Sequence, residues 1–370
     1  MRVLHCIYDD VANPWVGGGG AARVRSVYPF LAERADVTVL AGNYAGATDH
    51  TEDGVRYRYL GAQRPYPLSR WTYSRLAERA LRTLEYDAAV YDFSVYTPIR
   101  VPRGRPVGIT VHHLTAPTAR DRWGAPLGSL IDRVERGLLR RASILSADSE
   151  YTAEGVRARV SAATPVLLIG NAVDDALFAI RRSEQDYLLY LGRLDVFQKG
   201  LDVLIDAMAR LAAQGSAPRL LIAGRGRGVD ELRGMVAEAG LQQRVEVLGA
   251  VSDERRQELL EGALAVVMPS RFEGFGLVAV EAMAAGAPVI SSDAGSLPEV
   301  MDRGRAGVML PAGDPVALAE AMQRVVSDPG HRQRLSDAAR RRAADFSWRS
   351  IAEQHWVFLQ RIAQTGGGTA

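Results

Sequence analysis

Residues 263–291 constrain the fold of this chain more than any other stretch, because they combine the patterns of a strand, a turn, a helix and a second strand. Ala263–Met268 is a short apolar run, which is typical of a buried parallel strand. Gly274 and Gly276 allow a tight turn and a close approach of the backbone to a ligand. Helical spacing begins at about Gly276, and Val289–Ser291 is a further strand pattern. This order predicts an α/β domain with parallel strands.

The start of the predicted helix has the features of an anion-binding site. The first N–H groups of a helix have no partner within it, and the macrodipole favours negative charge there. Glu273 precedes the helix and Glu281 lies in its second turn. Because carboxylates repel an anion, we expect both to accept hydrogen bonds from hydroxyl groups instead. A ligand with hydroxyls on both sides of a diphosphate, a nucleotide-sugar, fits this order. Either glutamate alone would indicate an ordinary helix-start or solvated carboxylate, and it is the whole string that favours the ligand site.

The basic residues indicate a second part of the same site. Among 45 lysines and arginines there is a single lysine, Lys199. Lys199 and Arg193 flank a loop that opens a predicted helix at about Gly200, and two cations beside a helix N-terminus suit a diphosphate. Two alternatives stay open, namely chance within an arginine-rich composition and surface salt bridges to Asp195 and Asp202.

The first half of the chain opens with the strand, loop and helix of a doubly wound α/β domain. Arg2–Tyr8 reads as a strand, Gly17–Gly20 as a glycine loop and Ala21–Arg34 as a helix. His112 directly follows the predicted strand Gly108–Val111, which puts it at the carboxyl end of the sheet, where ligands bind. A flexible loop and a structural, hydrogen-bonded histidine are the plain alternatives for these two features.

The remaining segments give the expected order of elements. Further strands are predicted at residues 37–41, 55–60, 88–93, 144–147, 165–169, 187–191, 219–223, 245–248 and 307–310. Helices are predicted at residues 70–84, from 149, from about 200, at 316–327, 330–345 and 346–363. Residues 43–53 and the proline-containing stretch 61–70 read as loops, and residues 174–185 as a hinge.

The string PSRFEGFGLVAVEAMAAGAPVI, with seven residues between Glu273 and Glu281, resembles the E-x7-E signature of the retaining glycosyltransferases of family 4. That resemblance implies the GT-B fold, in which two Rossmann-like doubly wound α/β domains face a cleft and the C-terminal helix crosses back to the first domain. It divides the chain into an acceptor-binding domain at residues 1–178 and a nucleotide-sugar-binding domain at 179–345. Residues 346–370 would form the returning helix and a flexible tail.

The same resemblance assigns the site residues. It implies catalytic or charge-stabilising roles for His112, Arg193, Lys199 and Glu273, with His112 positioning the sugar rather than transferring a proton. The residues that it implies for donor binding are Gly18, Gly19, Val251, Gly274, Phe275, Gly276, Leu277 and Glu281. Two departures from the family pattern are the run of four glycines, where the family has a pair, and Ala172 in the linker GNAVDDALF, where the family has glycine.

The implied activity is transfer of a sugar from a nucleotide-diphosphate-sugar, with UDP or GDP favoured, to an acceptor hydroxyl. The acceptor stays open between a lipid-linked saccharide, a polysaccharide and a small natural product. No cofactor and no metal are expected, since no His/Asp/Glu cluster has metal-ligand spacing and the cations near the diphosphate would take the metal's role. The alternatives are a nucleotide-sugar-binding protein without transfer activity and a GT-B-type epimerase.

Composition limits the setting of this function. One cysteine, Cys6, excludes a disulfide framework, and no apolar run is long enough to span a membrane. Without the pattern of a signal peptide, a cytoplasmic enzyme is expected, as a monomer or homodimer. Residues 56–141 carry sixteen arginines against seven acidic residues. This excess fits either an ordinary solvated surface or peripheral contact with anionic lipid, and no recognition module favours nucleic acid.

Overall fold

The computed structural model describes residues 1–16, 19–226 and 228–366, with the backbone alone at 118 and 121–123. The chain divides into two units. Unit 1 contains Met1–Asn171 together with Trp348–Ala370, and unit 2 contains Ala172–Ser347. The sequence placed these boundaries at residues 178 and 345, a few residues from where the contacts divide the chain.

Unit 1 alternates strands and helices along the chain. Its strands are β1 (Arg2–Cys6), β2 (Asp36–Gly42), β3 (His50–Glu52), β4 (Val55–Leu60), β5 (Ala88–Asp92), β6 (Val107–Val111), β7 (Leu145–Ala147) and β8 (Val166–Leu168). Its helices are α1 (Gly19–Ala32), α2 (Tyr66–Thr83), α3 (Thr115–Trp123), α4 (Ala125–Leu139), α5 (Glu150–Arg157) and, from the end of the chain, α13 (Trp348–Thr365).

The sheet of unit 1 has the order β3-β4-β2-β1-β5-β6-β7-β8, and every pair is parallel except β3 with β4. Strands β5 and β6 are buried along their whole length, as expected for a sheet covered by helices on both faces. The chain leaves β1 toward β2 and later returns to its other side with β5, so a topological switch point lies between β1 and β5. The final helix α13 packs on α1, β5 and β6.

Unit 2 is a second doubly wound α/β unit. Its strands are β9 (Leu188–Leu191), β10 (Leu220–Ala223), β11 (Val245–Gly249), β12 (Ala265–Met268), β13 (Val289–Ser292) and β14 (Val308–Leu310). Its helices are α6 (Leu201–Ala213), α7 (Val229–Glu238), α8 (Asp253–Gly262), α9 (Leu277–Ala284), α10 (Leu297–Val300), α11 (Pro315–Ser327) and α12 (Pro329–Ala343). The all-parallel order β11-β10-β9-β12-β13-β14 puts the switch point between β9 and β12.

The architecture confirms the predicted α/β class with two Rossmann-like units, while two local expectations were wrong. Residues 43–53 contain β3, because an antiparallel edge strand can pair with β4 through a short turn. The stretch 61–70 is not a loop throughout, since α2 begins at Tyr66 with Pro67 in its first turn, where proline is tolerated. The hinge stretch contains a short 3-10 helix, Asp175–Ala179. No helix among the described residues is both long and apolar enough to cross a membrane.

Candidate functional site

The switch point of unit 2 brings Lys199 and Glu273 into contact. Lys199 follows β9 in the chain and Glu273 follows β12, and these strands are neighbours in the sheet. The Nζ atom of Lys199 lies 2.7 Å from Oε2 of Glu273, and Ser270 donates a hydrogen bond of 3.3 Å to the same oxygen. Both charged side chains are largely buried, at 14% and 12% exposure. The crevice at the carboxyl ends of these strands is where open α/β sheets bind their ligands.

The loop after β9 and the loop after β12 contact each other beside this pair. Gly200, at the start of α6, has φ of 62°, and a Cβ atom there would lie 2.0 Å from the Pro269 carbonyl oxygen. Only glycine therefore permits this approach. Arg271 forms a bidentate pair with Asp202, with both distances 2.7 Å. Asp202 thus pairs with Arg271 and not with Arg193 or Lys199, which excludes the Asp202 part of the salt-bridge alternative that the sequence left open.

The N-terminus of α9 lies in the same crevice. Gly276 precedes the helix with φ of 88°, and no described side chain caps its first amides. The backbone positions nearest this end are Gly274, Gly276 and Leu277. Gly274 and Leu277 are partly buried, and Gly276 is buried but has no side chain. The Phe275 ring is buried and makes an edge contact with Phe346, so only its backbone is available to a ligand. The arrangement suits an anion at the helix start.

Three further residues named from the sequence have different surroundings. Glu281, in the second turn of α9, forms an ion pair with Arg256 of α8. Val251, in the loop before α8, is half-buried and packs against the core of unit 2. Arg193 is exposed, and its carbonyl accepts a hydrogen bond of 2.8 Å from the Tyr190 hydroxyl. Within the described parts of the chain, no carboxylate lies within ion-pair distance of Arg193.

Unit 1 has its own cluster at the ends of three neighbouring strands. Asp92 ends β5, His112 follows β6 and Asp148 follows β7. The Nε2 atom of His112 lies 3.2 Å from Oδ2 of Asp92, and its Nδ1 atom lies 3.6 Å from Oδ2 of Asp148. His112 is 22% exposed, whereas both carboxylates are buried. The imidazole is therefore held between two acids with one edge open.

Asp92 is the centre of this cluster. Arg23 donates to both of its oxygens at 3.4 Å, and Nε2 of His5 lies 3.1 Å from Oδ1. Burial by itself would raise the pKa of Asp92, but the charges of His5, Arg23 and His112 outweigh it and hold the pKa well below its usual value. Burial and Arg23 lower the pKa of His112, while Asp92 and Asp148 raise it, and the net result is a raised pKa. The two acids therefore stabilise the protonated imidazole, while burial and Arg23 oppose it.

The glycine loop borders this cluster. Gly18 lies outside the described residues, and Gly19 is the first residue of α1. A Cβ atom at Gly20 would lie 3.7 Å from both Asp92 Oδ2 and His112 Nε2. The glycine nearest His112 among those described is therefore Gly20, which the sequence reading did not select.

A second buried histidine comes from the returning helix. His355 of α13 is fully buried, and neither of its ring nitrogens has a hydrogen-bond partner among the described residues. Its ring lies 6.2 Å from that of Tyr28, which in turn hydrogen-bonds Nδ1 of His5. Burial, followed by the charges of Arg23 and His5, holds the pKa of His355 well below its usual value. This histidine is therefore neutral in the folded protein.

Sequence reasoning missed Asp92, Asp148 and Arg23. Asp92 and Asp148 carry the same signal that selected His112, namely a polar residue where an apolar strand ends. Applied to every strand, that signal finds both acids. No local pattern distinguishes Arg23 from the many exposed arginines of the chain, because its burial depends on the helix face that the sheet covers.

Two protein-family descriptions match adjacent parts of the chain. Residues 17–177 match the description "Glycosyltransferase Family 4", and residues 176–342 match "Glycosyl transferases group 1". A glycogen synthase from Mycobacterium tuberculosis is 32% identical over 251 residues, which cover 66% of this chain and 60% of that protein. The chain thus spans less than two thirds of the length of this relative.

Two solved structures show the same fold as this chain. A sucrose-phosphate synthase from Thermosynechococcus elongatus has a TM-score of 0.80 at 22% identity, covering 98% of this chain and 99% of that one. The HepE protein of Anabaena, solved with UDP-glucose, has a TM-score of 0.74 at 19% identity, covering 98% and 100%. These likenesses show the GT-B fold for this chain.

Proposed function

We propose, since the chain belongs to the family 4 type of glycosyltransferases with the GT-B fold, that it transfers a sugar from a nucleotide-diphosphate-sugar to an acceptor hydroxyl with retention of configuration. UDP and GDP are the favoured nucleotides. The HepE relative, whose solved structure contains UDP-glucose, supports a uracil nucleotide as the first to test.

The observation that carries the proposal is the Lys199–Glu273 pair beside the uncapped start of α9. A diphosphate at this helix start would accept hydrogen bonds from backbone N–H groups and from the Lys199 ammonium. Lys199 then lies between two anions, the diphosphate and Glu273. Glu273 is left to accept hydrogen bonds from sugar hydroxyls, as its place before the helix leads us to expect.

In the proposed reaction the bond between the anomeric carbon and the leaving phosphate oxygen breaks. The acceptor oxygen forms its bond to that carbon on the same face, and the acceptor's proton moves to the departing phosphate. Negative charge develops on the diphosphate, so its stabilisation is the main task of Lys199, Arg193 and the amides of Gly276 and Leu277. No covalent intermediate with an enzyme residue is invoked.

We propose further roles for the other residues that the resemblance names. Glu281 would bind the ribose hydroxyls, for which it must share or exchange its contact with Arg256. His112 would position the donor sugar, with Asp92 and Asp148 fixing its ring. Val251 would lie near the base. We also propose that the reaction needs no metal ion, because the cationic side chains neutralise the diphosphate.

The test begins with binding and ends with stereochemistry. Thermal shifts with UDP, GDP, ADP and dTDP select the nucleotide, and the corresponding sugar conjugates select the donor. Hydrolysis of that donor in the absence of an acceptor separates a transferase from a protein that only binds, while conversion of the donor to its epimer would identify an epimerase. NMR of the anomeric proton in the product decides retention. Failure of every nucleotide to bind would contradict the proposal.

A further inference from the structure

Unit 1 contains a cavity of about 740 Å³ between α2, α4 and the loop that follows β5. This volume is in the range of sites for small ligands. Its lining combines apolar groups, among them Trp71, Pro98, Val134 and Leu138, with the arginines 70, 75 and 100. Residues 66–75 and 96–100 follow the carboxyl ends of β4 and β5, which is the functional edge of the sheet.

Arg70 is the most unusual member of this lining. Its guanidinium lies 4.6, 5.1 and 5.7 Å from the ring centres of Tyr8, Tyr66 and Tyr96. Its Nε atom is buried and has no hydrogen-bond partner among the described residues. The charge of Asp9 interacts with Arg70, but no carboxylate of the described residues lies within ion-pair distance of it. A half-buried guanidinium that three aromatic rings hold in place, with no carboxylate at ion-pair distance, can bind an anion.

Other arginines of this arginine-rich segment are used within the protein. Arg56 pairs with Asp36, Arg82 with Glu78, and Arg136 with Asp132. Glu78, which pairs with Arg82, is the acidic residue in the cavity lining, and the lining contains three arginines against this one carboxylate. The three lining arginines therefore leave the cavity positive. More than one unit of positive charge suits a phosphate group better than a carboxylate.

The apolar part of the lining needs an apolar partner. Trp71 is 60% exposed, and Tyr96 and Val134, which also line the cavity, are exposed as well, so apolar surface lies beside the arginines. A free phosphate would leave this face in water, whereas an apolar body joined to the phosphate would bury it.

We propose that this cavity binds a single amphiphile whose phosphate lies on Arg70 and whose apolar body lies against Trp71, Val134 and Leu138. That this amphiphile is the acceptor of the transfer rests on the proposed function. That the cavity binds it does not depend on the proposed function. The proposal thus narrows the acceptor to a phosphate-bearing compound with an apolar portion.

Calorimetric titration of the full chain with three matched probes tests this class. Hexyl phosphate carries both parts of the ligand, hexanol carries the apolar body and inorganic phosphate carries the anion. Hexyl phosphate should bind saturably and at least tenfold more tightly than either part. Arg70→Gln should weaken it on the order of tenfold to a hundredfold. Arg58→Gln, which removes an exposed cation of β4 outside the cavity, should change the affinity by less than twofold.

A second variant guards against misfolding of Arg70→Gln. Val134 is 42% exposed, so Val134→Trp can fill the apolar end of the cavity without overpacking the core, and it should also weaken hexyl phosphate at least tenfold. Equal binding of inorganic phosphate or of hexanol would overturn the proposal, as would wild-type affinity in either cavity variant. Binding to vesicles that contain phosphatidic acid tests whether the source of the phosphate is a membrane lipid. Vesicle binding that falls equally in Arg58→Gln and Arg70→Gln would indicate attraction by general surface charge and would overturn the proposal of a cavity site.

The two proposals fail separately. Arg70-dependent binding of hexyl phosphate without hydrolysis of any nucleotide-sugar would leave the cavity's ligand class intact and contradict the transferase. Donor hydrolysis in a protein that does not bind hexyl phosphate would leave the transferase intact and overturn the cavity's assignment.

Discussion

Replacing Asp92 by asparagine removes the only carboxylate in contact with Arg23 among the described residues and should destabilise unit 1. Arg23 is 1% exposed, and its Nε and Nη1 atoms have no hydrogen-bond partner in the described parts of the chain. Breaking a buried charge pair by removing one partner costs about 3–5 kcal/mol. Asparagine keeps one acceptor oxygen, and the contacts to Arg23 are long, at 3.4 Å, so we expect the lower end, about 3 kcal/mol.

That loss should appear as a lower transition temperature. For a unit of this size, about 3 kcal/mol corresponds to a fall of about 6–12 °C. Differential scanning calorimetry of the full chain measures it, and hydrogen exchange of peptides from β5 and β6 assigns the transition to unit 1. The folded pKa of Asp92 lies well below its unfolded value, so its stabilisation is present above about pH 4 and is lost as the pH falls. The effect of the variant should therefore shrink in acid.

A double variant separates loss of charge balance from loss of packing. Arg23→Met with Asp92→Asn removes both charges, and it should recover a large part of the loss because no unpaired charge remains buried. Asp148→Asn is the matched control, because Asp148 lies 3.6 Å from His112 and makes no contact of ion-pair length with an arginine of the described residues. A shift under 2 °C in Asp92→Asn, or a double variant that is additive in its losses, would refute the reasoning.

Three further outcomes follow from the same contacts. Lys199→Met should lower kcat by about 10²–10³, equivalent to about 3–4 kcal/mol of transition-state stabilisation. Arg210→Met, at the exposed end of α6, is the control and should leave kcat unchanged. Wild-type turnover in Lys199→Met would remove the lysine from the mechanism. Transfer should persist after dialysis against EDTA, and a strict need for added magnesium would contradict the role given to the cations. His355 has a folded pKa well below its unfolded value, so its contribution to stability is lost as the pH falls below about 6.5. His355→Phe should therefore keep up to about 2 kcal/mol more of its pH 7 stability at pH 5, measured by urea denaturation. An unchanged pH dependence of stability would count against a neutral His355.

Much of unit 2's site could be located from the sequence because its signals are local. The strand, glycine turn and helix at residues 265–284 follow from apolar periodicity and from two glycines, and these patterns hold whatever surrounds them. The order of residues also indicated that Glu273 and Lys199 follow strands, hence lie at the functional edge. Their contact at 2.7 Å could not be predicted from the sequence, because it requires β9 and β12 to be neighbours in the sheet.

The cluster in unit 1 shows the opposite balance. Local patterns found His112, but its partners come from β5, β7 and α1, which are distant in the chain. His355 reaches the same region from the last helix. In sequence, Arg23 and Arg70 look like any other arginine, and only burial among specific neighbours makes one a structural partner and the other a candidate ligand-binding group.

The sequence by itself determined the α/β class, the position of the helix start at Gly276 and the residues that follow each strand, because backbone propensity and apolar periodicity act over a few residues. Only the tertiary structure decided which charges meet: Lys199 with Glu273, Arg256 with Glu281, and Asp92 with Arg23 and His112. Strand order and helix packing set those encounters, and the energy of a charge depends on the neighbours and burial that they create.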